Sequence, residues 1–242
     1  MIAPVRKKTG VKCYYLSKKR RNKVEALNKI IVWMPQLLAG TRMTIIMTVL
    51  SVAIGLVLSL FLALGKMSKI AIINKPCSAY IFFFRGTPLL MQIYFIYFGL
   101  PQFNPALTIQ SAFVAALIAY TLNSAAYLAE NIRAGIQSID KGQYEAAKAL
   151  GMSYGQTMRY IIIPQTVRRL IPPVGNEFIM VLKDVSLVAI IGLSDLTKVT
   201  RAISSSSATA LVYIPAMIIY LIITAIFSFV FNKLEKKYSV YE

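Results

Sequence analysis

The chain contains no histidine, and its two cysteines, Cys13 and Cys77, lie far apart with no ligand-type neighbour at metal-binding spacing. A metal site or a disulfide framework has little to build on here. Enzymatic catalysis is also poorly supported, because no nucleophile and base stand in a recognisable pairing. Acidic residues are scarce, 9 against 27 Lys and Arg, which leaves a net charge of +18. Charge of either sign makes up only 15% of the 242 residues, while 57% are hydrophobic and mean hydropathy is +0.62. That is too little charge for a soluble domain of this length, and the chain reads as an all-α, polytopic integral membrane protein.

A basic balance often means nucleic acid, but ten of the Lys and Arg residues precede position 30 and many others flank apolar runs. Attraction to an anionic membrane surface explains them more simply. The aromatic runs YIFFF and IYFIYFG suit lipid-facing or interfacial positions better than base stacking, so no nucleic-acid partner is expected.

A bilayer core requires about 20 mostly apolar helical residues. Five stretches qualify, at roughly 38–65, 78–100, 109–130, 174–193 and 208–231, following a basic tail over 1–29. The first is too long for the apolar core of a signal peptide and lacks a cleavage site before Lys66, so it is expected to be retained. The second is interrupted by Arg85, Gly86, Thr87 and Pro88, and should bend inside a helix bundle that satisfies the freed backbone. The loops after spans one, three and five carry Lys66, Lys69, Lys75, Arg133, Lys141, Lys148, Arg159, Arg168, Arg169, Lys233, Lys236 and Lys237. The loop after span two carries none, so the first set faces the cytoplasm. Five spans then leave the basic tail outside. Either the start lies upstream of the true one, or the later loops dominate, or a sixth span is hidden.

Between spans three and four, a loop over about 133–170 contains EAAKALGMSYGQTMRYIIIP, Glu145 to Pro164. Asp140 is placed to cap a helix that Gly151 ends, and a second short helix from Gln156 is expected to stop at Pro164. The result is a knob longer than a connector needs.

Glu145-Ala146-Ala147, then Gly151, Ile161 and Pro164 at fixed spacing, resemble the EAA motif of permease subunits in bacterial ATP-binding-cassette importers. FRGTPLLMQIYFIYFGLPQF, NSAAYLAENIRAGIQSIDKGQYEAA and NEFIMVLKDVSLVAIIG resemble the polar amino-acid branch of that family. The likeness covers residues 30–242, while Ile163 stands where Leu is usual and the tail is longer than usual. The resemblance implies a coupling helix docking in a cytoplasmic ATPase. Tyr144, Glu145, Ala146, Ala147, Gly151 and Met152 suit such a joint, because the small residues permit close approach, Glu145 offers a charge, and Tyr144 and Met152 offer apolar contact.

Gly65-Lys66 is the nearest approach to a phosphate loop, and it lacks both the upstream Gly and the following Ser or Thr. ATP and its Mg²⁺ are therefore expected on a partner. Charged groups within a span usually face a bundle interior or a watery path. In span four, Asn176 and Lys183 share one helical face and Glu177 and Asp184 the adjacent one, a wedge of both signs that suits a zwitterion. Structural ion pairing of Lys183 and Asp184, or their placement at the interface of the span, is the competing reading. Asn123 and Ser124 in span three are weaker path candidates, since they also suit interhelical hydrogen bonds, and Arg85 is assigned to bundle packing or headgroup contact.

The expectation is a permease subunit in the bacterial cytoplasmic membrane, importing an amino acid by alternating access. Its expected partners are a second permease subunit, two ATPases and an extracytoplasmic binding protein. A stand-alone ion-coupled secondary transporter and a membrane scaffold recruiting an ATPase are the alternatives.

Overall fold

The computed structural model describes the backbone of residues 8–238 and the side chains of 28–238. The first seven residues of the basic tail, and the side chains of the rest of it up to residue 27, lie outside the described residues.

Helix α1, Lys8–Met67, is uninterrupted, and its apolar part Asn28–Met67 is one of three described segments long and apolar enough to cross a membrane. At 1.5 Å per residue that part spans about 60 Å, twice a hydrocarbon core, so it extends beyond the bilayer. Helix α2, Ala71–Gly86, ends at the break, and α3, Leu89–Tyr94, runs through a π turn into α4, Leu100–Phe103. The two halves meet at 106°, so this apolar pair is bent at the interruption, as expected. Helix α5, Ala112–Gln137, is the next crossing. The polar loop follows as α6, Lys141–Ala149, and α7, Tyr154–Thr157. A π turn, Met158–Ile162, leads into α8, Ile163–Asp184. A 3-10 turn, Val185–Ile191, leads to α9, Leu196–Ser206, and α10, Tyr213–Tyr238, completes the last crossing.

Two expectations need correction. The stretch 174–193 is not one apolar helix, because α8 ends at Asp184 and the tighter 3-10 turn takes over. Glu177, Lys183 and Asp184 keep this segment too polar to stand in lipid by itself, and it is bedded between α5 and α10. Pro164 does not stop the chain's helix either. The π turn immediately before it widens the backbone, and Pro164 occupies the first turn of α8, where its missing N–H is tolerated.

Helices α1 and α5 run parallel and form the centre of the bundle. Ala115, Ala116, Ala119, Ala125, Ala126 and Ala129 are buried on α5, and an added Cβ at Gly55 would sit 3.4 Å from the Thr121 carbonyl and Ser124. Small residues let these backbones approach closely where apolar burial alone gives no drive within lipid. At the other end of α1, a Cβ on Gly40 would lie 2.9 Å from the Asp195 carbonyl and Leu196 Cα. That contact is with backbone, where Asp195 caps α9 by accepting from the N–H groups of Thr197 and Lys198. Gly40→Ala is therefore expected to destabilise the fold by about 1–3 kcal/mol, as overpacking does. Thermal unfolding followed by emission of Trp33, the single and buried tryptophan, checks this.

Candidate functional site

Thr87, extended because Pro88 follows it, terminates α2 and leaves carbonyls without helical partners. Gln92, buried on α3, donates its amide to the Phe84 carbonyl at 3.0 Å and to the Thr87 carbonyl and hydroxyl at 3.1 and 2.8 Å. Asn123 on α5 donates to the same Phe84 carbonyl at 3.1 Å and to the Gln92 side-chain oxygen at 3.0 Å. The break is thus held open by two amide side chains that replace the lost backbone bonds. Gln92→Leu strips this staple and leaves buried groups unpaired, at about 1–3 kcal/mol each. A fall in the Trp33-monitored midpoint, with loss of uptake, is the expected result.

The break opens a cavity of about 390 Å³. Arg85, in the last turn of α2, lines it from one side, with its guanidinium 5.4 Å from the centre of the Tyr127 ring. Glu177, Met180, Val181 and Asp184 line the other side as an i, i+3, i+4, i+7 stripe of α8. The Tyr120 hydroxyl donates to the Asp184 carbonyl at 2.5 Å and fixes the end of that stripe to α5. Glu177 is 6% exposed, so its carboxylate is committed to this cavity rather than to bulk water.

Of the path residues read from the sequence, Asn123, Glu177 and Asp184 meet here. Ser124 is buried next to the Glu177 carboxyl, behind the lining. Asn176 and Lys183 are exposed and are not among the lining residues, because one residue of helical rotation carries them past the cavity. The cation lining the cavity is instead Arg85, for which the sequence suggests bundle packing or headgroup contact. Its signal was its position beside the Gly86-Thr87-Pro88 break, where a helix C-terminus favours a positive group.

The polar loop is a second feature. Asp140 caps α6 by accepting from Gly142 N at 2.6 Å, as expected, and Gly151 ends it with φ +75°, a left-handed conformation. Ser153 and Gln156 then form a reciprocal capping box for α7. Ile162 is fully buried in one cluster with Ile132, Ile136 and Ile139, Tyr144 packs against that cluster and Ala147 is buried too, so the loop is clamped to the end of the bundle. Ala147 and, in part, Tyr144 therefore face inward. Glu145, Ala146 and Gly151 face outward, Met152 is half-buried, and open space lies over Gly151. The strongly exposed apolar groups are Leu150 at 80% and Tyr154 at 74%, which the motif did not single out. Clusters of three or more potential metal ligands do not occur among the described residues.

Residues 55–240 match the family described as the inner membrane component of binding-protein-dependent transport systems. The chain belongs to this family. Over 208 residues, 86% of this chain and 91% of the relative, it is 40% identical to the probable amino-acid ABC transporter permease protein YckA of Bacillus subtilis. It is 38% identical to the glutamine transport system permease protein GlnP of Escherichia coli K12, over 86% of this chain and 96% of that one. A crystal structure of an amino acid ABC transporter with histidines is 43% identical and superimposes with a TM-score of 0.82 over 86% of this chain and 97% of the other. This inner membrane component is a non-catalytic, multi-pass membrane subunit that works with an ATPase and a substrate-binding protein, and ATP hydrolysis belongs to the separate ATPase.

Proposed function

We infer that this family member is a transmembrane subunit of an ATP-driven amino-acid importer, with the cavity at the helix break as its substrate path. The convergence of Arg85, Glu177 and Asp184 on that cavity carries the reading. A zwitterionic amino acid requires donors for its carboxylate and acceptors for its ammonium, and both are offered across one space. Among the described residues the lining has two carboxylates against one guanidinium, so cationic and neutral polar amino acids are favoured over anionic ones. The relatives named for amino acids, and the solved transporter with histidines, support the class.

Among the described residues three helices are long and apolar enough to cross a membrane, or four if the bent pair is one crossing, which is few for a sealed path, so a second permease subunit is part of the assembly. Two ATPases, which bind ATP and Mg²⁺, work beneath the pair, and an extracytoplasmic binding protein delivers the solute. ATP-driven closure of the ATPases reaches the bundle through α6 and Gly151, and the dimer alternates its access. Uptake of labelled amino acids by the complete transporter tests the charge preference. Preference for aspartate or glutamate over arginine, lysine and glutamine would overturn it.

A further inference from the structure

A second cavity of about 320 Å³ abuts the first and shares Arg85, Gly86 and Tyr127 with it. Its remaining polar lining is Lys66, in the last turn of α1, and Ser78 on α2. Among the described residues no Asp or Glu lines it, in contrast to the first cavity. Glu130, which pairs with Lys66 at 2.8 Å, is also bound by Arg133, so this three-residue cluster keeps a net positive charge. Ser78 precedes Arg85 by seven residues, about 10 Å along α2. It lies toward the end of the bundle where Lys66 and Glu130 approach the polar loop.

The two cavities therefore form a sequence, two carboxylates and a guanidinium first, then a guanidinium, an ammonium and a hydroxyl. The Arg85 guanidinium lies over the Tyr127 ring, 5.4 Å from its centre, at the wall common to both. A guanidinium presents donors in a planar fork, so one side chain held over an aromatic ring can face a carboxylate from either side. Resting on the reading of the first cavity as substrate path, we propose that the second cavity is a carboxylate subsite, which the substrate enters next on its way to the loop end of the membrane. The substrate's ammonium is held in the first cavity, and its carboxylate leads into the second.

The test uses the complete transporter in lipid nanodiscs, with Ser78→Cys in a Cys13→Ser, Cys77→Ala background. It is treated with a negatively charged sulfonatoethyl and a positively charged trimethylammonioethyl thiosulfonate. Ser205→Cys, exposed on α9, supplies the reference. The anionic-to-cationic rate ratio is expected to be about tenfold higher at position 78 than at 205, as local charge focusing produces, and to fall in the presence of Lys66→Gln. An equal or lower ratio, or no reaction with either reagent, overturns the subsite. In a functional arm, Ser78→Phe fills the cavity and is expected to lower uptake at least about tenfold while labelled amino acid still binds. Wild-type uptake by Ser78→Phe overturns the subsite and leaves the first cavity's role standing. Wild-type binding and uptake by Glu177→Gln overturns the first cavity's role, and the reagent ratio still decides the charge of the second. If Ser78→Phe does not assemble, the reagent ratio decides.

Discussion

Arg85→Gln is expected to lower amino-acid uptake about 10- to 100-fold while the subunit still assembles with its ATPase. The magnitude follows from the loss of charged hydrogen bonds to a carboxylate, about 1.5–3 kcal/mol, at 1.4 kcal/mol per tenfold. Among the described residues Arg85 is the sole cation lining the first cavity, so none of them substitutes for it, and Lys183 on α8 is exposed outside that lining. Substrate binding to the purified complex, co-purification of the ATPase and uptake should be measured together. A loss of binding with intact co-purification places the effect in the path. Glu177→Gln acts on the opposite charge, and is expected to weaken cationic amino acids more than neutral ones.

The second large effect belongs to the loop. Gly151→Val puts a β-branched residue at φ +75°, a conformation that L residues adopt only with strain. The open space over Gly151 is where a partner surface can approach, and Leu150 and Tyr154 beside it are exposed apolar groups of the kind that anchor interfaces. Gly151→Val and Leu150→Asp are each expected to weaken ATPase association at least about 30-fold, the effect of losing a 2 kcal/mol anchor. Neither should alter amino-acid binding in the cavity. Titration of the detergent-solubilised membrane subunits with the ATPase measures the first effect, and equilibrium binding of labelled amino acid checks the second.

Which features the sequence disclosed follows from the range of the interactions that form them. Asp140, Gly151 and the broken second crossing act through their immediate neighbours, and all stand where local chemistry requires. Glu177 and Asp184 were legible because a seven-residue spacing returns to one face of a helix, whatever surrounds it. Arg85 was not, since its destination depends on how far α2 turns at Gly86 and which face of α8 meets it there. Lys183 does not line this cavity for the complementary reason, as the same helix periodicity fits two adjacent faces and only packing against α5 chooses between them. The polar end of α8 hid its 3-10 turn, because Val185 to Ile191 is as apolar as a continuing helix would be. Pro164 looked terminal because proline usually is, and only the π turn ahead of it changes that. Leu150 and Tyr154 lay outside the motif's fixed positions, and their importance rests on exposure.

The decisive measurement is labelled amino-acid uptake into proteoliposomes that contain this subunit, its ATPase and the binding protein, with and without ATP, for wild type, Arg85→Gln and Gly151→Val. Uptake should require ATP and the ATPase. Arg85→Gln should retain the ATPase yet transport little, and Gly151→Val should bind substrate yet fail to couple. Uptake that proceeds without the ATPase, or both variants transporting as wild type, would contradict ATP-coupled import through this cavity and return the chain to an ion-coupled mechanism.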